Sequence, residues 1–451
     1  RCRMRCIRPI LVALVSLATV SVPVHGFSLW PFRKAPAVEP SPETAIDGVK
    51  NPSSVPRATA PAVETPSVER LEKLAKEGSS GAQLALGKIY YDGQAGVKKD
   101  PKKAAALFRQ AAEQGNARAL FNYGVCLDGG IGVAKDAQEA MAYYRRAADL
   151  GVSEAQLNLA IMLEERGAYA EALTYYRRLA EESSHLGAMR KVADLLLNGK
   201  AGARQPAEAV RYLRSAAERG DSRAQVRLAD CYQRGEGVRS DLREMFVLLT
   251  LAAQDGDAEA QAKLAYCYAK GMGTAPNSDI AFAWYQRSAE AGYAPGQVAL
   301  GNCYLQGQGV ERDPVKAAEW FRRAAEQADS MGEFSLAVAY ELGRGVTADA
   351  AEAVRWYRRA AEQGYVLAQY NLGVACLEGR GGPQDLAEAA RWFAAAAQQG
   401  SPEALLALGK CLLNGQGLAA DRERARECFR RAAEMGLPAA SEALRTHFGE
   451  P

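Results

Sequence analysis

Apolar and polar positions recur with a helical period along most of the chain, in two alternating kinds of segment. In the first kind, PGQVALGNCYLQG at 295–307, the apolar Val298 and Leu300 begin a stripe at helical offsets. In the second kind, PVKAAEWFRRAAEQ at 314–327, alanines and Trp320 form another stripe. The pattern predicts pairs of consecutive amphipathic helices, a first and a second helix.

The segment between these two helices, GQGVERD at 307–313, has the residues of a tight interhelical loop. Gly307 suits the left-handed backbone that ends a helix, and Asp313 followed by Pro314 supplies an N-cap and a first-turn proline. Similar segments are GGIGVAKD (129–136), GEGVRSD (235–241), GRGVTAD (343–349) and GQGLAAD (415–421). We therefore predict helical hairpins whose loops begin at Gly130, Gly235, Gly271, Gly307, Gly343, Gly379 and Gly415.

The hairpin recurs at a nearly constant spacing. A glycine closes each AAxxG segment at Gly115, Gly151, Gly220, Gly256, Gly292, Gly364, Gly400 and Gly436, and Ala328 stands where another is due. This gives ten rows of 34 to 37 residues, with one slightly shorter row ending near His185. Such a period is typical of a helical solenoid, because each hairpin buries its apolar face against the next. We expect more than three quarters of residues 67–436 to be helical.

The rows together resemble the Sel-one-like repeat, a close relative of the tetratricopeptide repeat. Residues 296–327, GQVALGNCYLQGQGVERDPVKAAEWFRRAAEQ, contain its pattern almost whole, and the resemblance covers roughly residues 80 to 436. One row, LEERGAYAEALTYYRRLAEESS at 163–184, lacks the long glycine loop and is closer to an ordinary tetratricopeptide unit. The resemblance implies an all-α, right-handed superhelical solenoid of about ten antiparallel helix-hairpin repeats. It also implies a concave surface lined by the first helices, and protein–protein adaptor work, frequently in the bacterial envelope or in the lumen of the secretory pathway.

The N-terminal part of the chain has a different composition. Residues 1–26 combine an arginine-rich start, an apolar run and a small-residue exit, which predicts a secretory signal peptide. Residues 27–66 contain eight prolines and are predicted to be a disordered Pro/Ala-rich linker. The remaining predicted segments are a capping helix at 67–80, the repeat array at 81–436 and a C-terminal cap or tail at 437–451. These segments predict a periplasmic or secreted protein with no integral membrane segment after signal cleavage.

Charge and residue content give little support for catalysis. With 56 basic and 53 acidic residues the net charge is only +3, so we expect no nucleic-acid partner. After the predicted signal peptide the histidines are His185 and His447, too few and too far apart in sequence for acid–base or metal chemistry. The S-x-x-K, S-D-N and K-T-G motifs and the phosphate-binding G-x-x-x-x-G-K-[ST] motif are missing. We predict no enzyme, no catalytic residues, no cofactor and no metal site.

Cysteines and tryptophans each recur at one position of the repeat. Either set could suggest a chemical role, but both are better explained by packing. Cys126, Cys231, Cys267, Cys303 and Cys411 share one position of the first helix. Equivalent helices in a stack lie about 8–10 Å apart, beyond the roughly 7 Å limit between disulfide-linked Cα atoms, so we predict buried free thiols. In the cysteine-rich branch of the resembling family, paired cysteines stand at row junctions, where this chain has the Ala and Gly of AAEQG. The resemblance therefore implies that those disulfides are missing.

The tryptophans form a second alignment. Trp284, Trp320, Trp356 and Trp392, the Trp column, are spaced 36 residues apart. A ladder of tryptophans is able to bind sugars or bases, but the flanking alanines favour a place in the packed core.

The tetratricopeptide relationship indicates which residues face the groove, taking Gly301 as the small position of its first helix. It places Lys88, Asp230, Tyr266, Asn302 and Lys410 in one column, with Arg190, Tyr370, Gln233, Arg234, Lys270 and Gln306 beside it. These positions vary between rows, whereas the packing positions hold steady. We predict a non-enzymatic envelope scaffold that binds a protein or peptide there. The alternatives are a peptidoglycan- or saccharide-binding envelope protein and, disfavoured by the missing motifs, a beta-lactamase-like hydrolase.

Overall fold

A computed structural model describes residues 67–450. The predicted signal peptide (1–26) and linker (27–66) lie outside the described residues, as does Pro451. Between residues 67 and 450 the chain forms twenty-two helices and no strand. The helix bounds are α1 Val68–Lys76, α2 Ser80–Asp92, α3 Pro101–Glu113, α4 Ala117–Gly129, α5 Ala137–Asp149, α6 Ser153–Glu165, α7 Tyr169–Glu182, α8 Leu186–Asn198, α9 Pro206–Glu218, α10 Ser222–Arg234, α11 Leu242–Gln254, α12 Ala258–Lys270, α13 Ser278–Glu290, α14 Ala294–Gln306, α15 Pro314–Glu326, α16 Ser330–Leu342, α17 Ala350–Glu362, α18 Val366–Glu378, α19 Leu386–Gln398, α20 Pro402–Asn414, α21 Arg422–Glu434 and α22 Pro438–Phe448.

The helices pair into ten hairpins, α2 with α3 through α20 with α21, preceded by α1 and followed by α22. Each second helix also packs against the first helix of the next hairpin. The predicted all-α repeat solenoid is therefore confirmed. The helices cover slightly less than three quarters of residues 67–436, a little below the expected share. The shortfall arises because two 13-residue helices leave about ten of every 36 residues to the two connections.

The predicted loop boundaries are confirmed. Each of the seven named glycines ends its first helix with a left-handed backbone, at φ between 64° and 71°. Asp313 is the N-cap of α15, and its carboxylate accepts hydrogen bonds from the amides of Val315 and Lys316 at 3.1 Å. Pro314 follows as the first helical residue. The local sequence thus sets both ends of each interhelical loop.

The second glycine of the loop joins neighbouring repeats. Gly309 has φ +66°, and a Cβ added there would lie 2.2 Å from the carbonyl oxygen of Ser278, the first residue of α13 in the preceding repeat. At Gly307 the nearest atom to an added Cβ is Arg312 Cβ, at an ordinary 3.5 Å. The first glycine therefore serves only to end its own helix, whereas the second also lets the loop rest on the backbone of the repeat before it.

Inside each hairpin, a ring of the second helix packs on a small residue of the first. A Cβ on Gly301 would lie 2.5 Å from Phe321 Cε1, so the glycine makes room for that ring. The corresponding rings Tyr357, Phe393 and Phe429 are almost completely buried. The fully buried aromatic position is thus the residue after the Trp column.

The Trp column itself is half-buried, contrary to its predicted place in the core. Trp320 packs on an apolar cluster whose members come from its own repeat and from the preceding one. The guanidinium of Arg323 lies 4.2 Å from the centre of its indole ring, and two further Trp–Arg pairs in this column have distances of 4.6 Å. Because consecutive residues of a helix point about 100° apart, only one of the two rings can face the first helix. Three of the tryptophans instead pack on clusters that span the junction between consecutive repeats.

A buried glutamine ties most first helices to the preceding second helix, a contact that the sequence reasoning missed. In six repeats its side-chain amide donates to the carbonyl of the alanine eight residues earlier, at 3.1–3.5 Å. The six residues are Gln83, Gln156, Gln225, Gln261, Gln297 and Gln369. Their recurrence, 36 residues apart in several rows, was the available signal.

The oxygen of this glutamine is satisfied in some repeats only. Gln327 Nε2 donates to Gln297 Oε1 at 2.9 Å. In the repeat before, Ala291 stands in the place of Gln327, and Gln261 Oε1 is buried with no hydrogen-bond partner among the described residues. The Gln261 oxygen therefore lacks the donor that Gln327 supplies to the equivalent oxygen one repeat later.

Candidate functional site

The first helices form the side of the array on which neighbouring repeats approach one another most closely. First helices pack directly against each other at α10/α12, α12/α14 and α14/α16. Within residues 67–450 no two second helices pack together to that extent. We use the name first-helix face for the surface formed by the eleven predicted groove residues on these helices.

The structure distributes those residues over three environments. Exposed residues are Lys88, Arg234, Lys270, Gln306 and Lys410. Half-buried residues are Arg190, Asp230, Gln233, Tyr266 and Asn302. Tyr370 is buried. In the part of the chain described, none of the four exposed cations pairs with a carboxylate, so their charges are directed to solvent.

Two predicted groove residues instead bind neighbouring repeats. Arg190 Nε lies 3.0 Å from Asp221 Oδ2, at the start of the next first helix. Asp230 accepts from Lys263 Nζ at 2.8 Å, and the same ammonium lies 2.8 Å from Glu259. The Lys263 side chain is only 5% exposed, so this pair is shielded from water. These contacts fix the relative position of adjacent first helices.

Tyr370 departs from its predicted role. Its side chain is 9% exposed, and its ring centre lies 5.9 Å from that of Phe393 in the second helix of the same repeat. Burial raises the pKa of its hydroxyl. At this position the side chain turns into the hairpin rather than outward, so we remove it from the residues that contact a partner.

Two buried tyrosines of the second helices hydrogen-bond to acidic residues of the first helices. Tyr176 Oη donates to Glu164 Oε2 at 2.9 Å, and Lys191 Nζ of the next repeat lies 2.9 Å from the same carboxylate. Tyr357 Oη donates to Glu341 Oε2 at 2.6 Å. In both cases the acid lies in the first helix of the same repeat, and it covers the phenol hydroxyl. Sequence reasoning did not connect these residues, although tyrosine and acid occur together in the same rows.

The second of these networks has further members. Asn371 Nδ2 donates to Tyr357 Oη at 3.2 Å, and Arg380 forms an ion pair with Glu341. Both added residues come from the following repeat. The phenol, the acid and the neighbouring polar groups therefore link two repeats through a hydrogen-bond network.

A cavity of about 400 Å³ lies beside the short loop of the tetratricopeptide-like row. It borders Ala137, the first residue of α5, which corresponds to Ser278 in the regular repeats. Regular repeats place the second loop glycine against this point, but the loop at 166–168 is too short to reach it. The cavity is lined by Asp128, Lys135, Ala137, Asn158, Ile161, Met162, Glu165 and Arg166. Its origin is therefore the missing glycine loop.

The thiols and one histidine have structural environments. Cys231, Cys267 and Cys303 are free and buried, which confirms their predicted burial. Burial raises the pKa of these thiols to about 11, about 12 and about 11 respectively. His185 is the N-cap of α8, where its Nδ1 accepts from the amide of Ala188 at 3.1 Å. Among residues 67–450 no group of three or more His, Cys, Asp or Glu is placed to hold a metal ion.

The helices between residues 67 and 450 are each too short or too polar to cross a membrane.

Known proteins resemble this chain through the same repeats. The family model described as Sel1 repeat matches residues 80–116, 117–152, 153–184, 187–221, 222–257, 258–293, 294–329, 330–365, 366–401 and 402–437. A protective antigen of uropathogenic Escherichia coli, c5321, displays an SLR fold and is 30% identical, with a TM-score of 0.53 over 85% of this chain and 90% of that one. A Sel1 repeat protein from Oxalobacter formigenes is 32% identical, with a TM-score of 0.53 over 69% of this chain and 92% of that one. The sequence matches no curated protein. Ten matched repeats, and a solved neighbour at this identity and coverage, show that the chain belongs to the Sel1 repeat family.

Proposed function

We propose that this chain is a non-enzymatic scaffold of the cell envelope that binds a protein or peptide along the first-helix face. Sel1 repeat proteins are commonly protein–protein interaction scaffolds. The envelope location rests on the signal-peptide pattern of residues 1–26. The partner is expected to be a polypeptide that crosses several repeats.

One observation carries the proposal: exposed polar side chains of different chemistry occupy equivalent positions of a face whose packing residues stay the same. Arg234, Lys270 and Gln306 share one position in three consecutive first helices. All three are exposed, and stacking of the repeats requires none of them. Such variation is expected where recognition selects the residue.

The saccharide alternative would need accessible aromatic faces. The Trp column offers few such faces, because each tryptophan is half-buried. In addition, arginines cover the rings of Trp284, Trp320 and Trp356 at 4.2–4.6 Å. These observations favour a polypeptide partner over a sugar chain.

The test replaces three groove residues together. We expect a triple variant with Lys270, Asn302 and Gln306 changed to Ala to lose most partner capture from envelope extracts, measured by affinity purification and quantitative mass spectrometry. Its thermal unfolding should stay nearly unchanged, because these side chains are exposed or half-buried. The matched control changes one cation and two amides on second helices, Gln138, Arg211 and Gln254, to Ala.

Equal capture by the wild type and the triple variant would contradict the proposal. If capture instead disappears when residues 27–66 are deleted, the binding site lies in the linker. Sedimentation of the protein with purified peptidoglycan, unaffected by the triple variant, would support the saccharide alternative.

A further inference from the structure

One core tyrosine lacks the acid that accompanies its counterparts. Tyr176 and Tyr357 donate to Glu164 and Glu341, each from the twelfth residue of the first helix in the same repeat. Tyr285 of α13 occupies the same position of its second helix. The twelfth residue of α12, where the acid would stand, is alanine.

The next repeat supplies no substitute for this acid. Lys191 and Asn371 provide polar contacts at the sixth residue of the following first helix. In α14 that residue is Ala299. Ala269, Ala299 and Tyr285 lie in one apolar cluster. Small side chains therefore stand on both sides of the Tyr285 ring, where its counterparts have carboxylate, ammonium or amide groups.

The exposure of the tyrosines reflects this difference. Tyr176 and Tyr357 are 0% and 1% exposed, whereas Tyr285 is 8% exposed. Within residues 67–450 no carboxylate hydrogen-bonds to the Tyr285 hydroxyl, in contrast to Tyr176 and Tyr357. Burial raises the pKa of this phenol, so it stays protonated and remains a donor at physiological pH. An acceptor that reaches this hydroxyl can take a hydrogen bond from it.

The first-helix face also carries exposed cations. Lys270 directly follows Ala269, and Arg234 occupies the equivalent position one repeat earlier. Both cations are exposed, and neither pairs with a carboxylate of the described residues. Asn302, three residues after Ala299, adds a half-buried amide to the same helix. We name the place formed by Ala269, Ala299 and Tyr285, which belong to one apolar cluster, the notch.

We propose that the notch binds an acidic side chain of the partner polypeptide. Its carboxylate accepts a hydrogen bond from the Tyr285 hydroxyl, as the Glu341 carboxylate does from the Tyr357 hydroxyl. The inference rests on the proposed function, because Ala269 and Ala299 lie on the first helices that carry the proposed binding face. A partner aspartate or glutamate would complete in this repeat the contact that the chain makes internally in two others. The exposed lysine and arginine of the same face would attract a partner that carries a carboxylate.

The experiment uses peptides selected on the protein itself. A phage-displayed library of random peptides is selected on the immobilised protein, and the enriched peptides should share an Asp or Glu. One selected peptide and its Glu→Gln (or Asp→Asn) counterpart are then synthesised, and their Kd values are measured by fluorescence anisotropy. On the wild type, the amide peptide should bind about tenfold more weakly, as loss of a charged hydrogen-bond partner implies.

Protein variants locate the effect. The two peptides should bind Tyr285→Phe with nearly equal Kd, because this variant lacks the hydroxyl. They should also bind Ala269→Glu with nearly equal Kd, because this variant places an internal acid in the notch. The control is Tyr212→Phe, since that hydroxyl donates to Glu181 Oε1 at 2.9 Å on the second helices and should not affect peptide binding. The tenfold difference between the peptides should persist in this control.

Each other outcome has a definite meaning. Enriched peptides without a shared acid, or a peptide difference that persists in Tyr285→Phe, would overturn the notch assignment. If such peptides still lose binding to the Lys270, Asn302 and Gln306 triple variant, the proposed function stands and only the notch fails. Peptides that bind the triple variant as well as the wild type would overturn both, as would a selection that yields no binding peptide.

Discussion

The loop glycines offer a direct test of how the repeats hold together. Gly307 and Gly309 have nearly the same left-handed backbone, with φ of +71° and +66°. A Cβ at Gly307 would have its nearest neighbour at 3.5 Å, whereas at Gly309 it would lie 2.2 Å from the Ser278 carbonyl oxygen. Substitution by alanine therefore adds the same backbone strain at both sites but a steric clash at only one.

The expected magnitudes follow from this geometry. The left-handed backbone costs about 1–2 kcal/mol for alanine in either variant. Relief of the clash in Gly309→Ala requires the loop to move away from α13 by about 1 Å, and overpacking of this kind costs a further 1–3 kcal/mol, roughly. Gly309→Ala should therefore lower the free energy of unfolding by about 2–5 kcal/mol, against about 1–2 kcal/mol for Gly307→Ala.

The assay is urea unfolding followed by circular dichroism at the helical band. Because stability in an array depends on interfaces between neighbours, Gly309→Ala should also separate the unfolding of the repeats before and after this loop, and so broaden the transition. Gly307→Ala should shift the midpoint without broadening it. Equal shifts in the two variants would refute the claim that the second glycine joins the repeats.

Three further predictions concern buried groups. Ala291→Gln should raise the free energy of unfolding by about 1 kcal/mol in urea titration, because the new amide can donate to the unpartnered Gln261 Oε1; an unchanged midpoint would contradict it. Lys263→Met should lower the free energy of unfolding by about 3 kcal/mol, because it leaves two carboxylates without their cation. The exposed control Lys316→Met should change the free energy of unfolding by under about 0.5 kcal/mol. Burial raises the pKa of Cys267 from 9.0 to about 12, so folded protein should react slowly with thiol reagents at pH 8, and fast reaction without denaturant would contradict burial. Because the unfolded thiol loses its proton first, this group's contribution to stability should be complete below pH 9 and decline between about pH 9 and about pH 12.

The local features of the fold could be predicted from the sequence because they depend on residues only a few positions apart. Asp313 and Pro314 start a helix through contacts within one turn, and Gly307 ends one through its own backbone. Spacing alone also indicated that equivalent cysteines such as Cys267 would be buried. The predicted signal peptide and linker fall outside the described residues and remain predictions.

The functional face was predicted less completely. Lys270 and Gln306 are exposed as the groove prediction requires. Tyr370 is buried against Phe393, and Asp230 is held by Lys263. Helical periodicity gives the direction of a side chain around its own helix, but it does not show whether the next repeat covers that direction.

The sequence by itself determined the helices, their caps, the repeat period and the family, because each is encoded within one 36-residue row. Only the tertiary structure decided which of two adjacent rings enters the hairpin, why the second loop glycine is needed, and where a cavity or a notch remains. The notch at Tyr285 depends on Ala269 and Ala299, which lie 30 residues apart and come together only when one repeat stacks on the next. Stacking joins residues distant in sequence, so burial and exposure at these positions follow from the neighbouring row and not from the row that contains them.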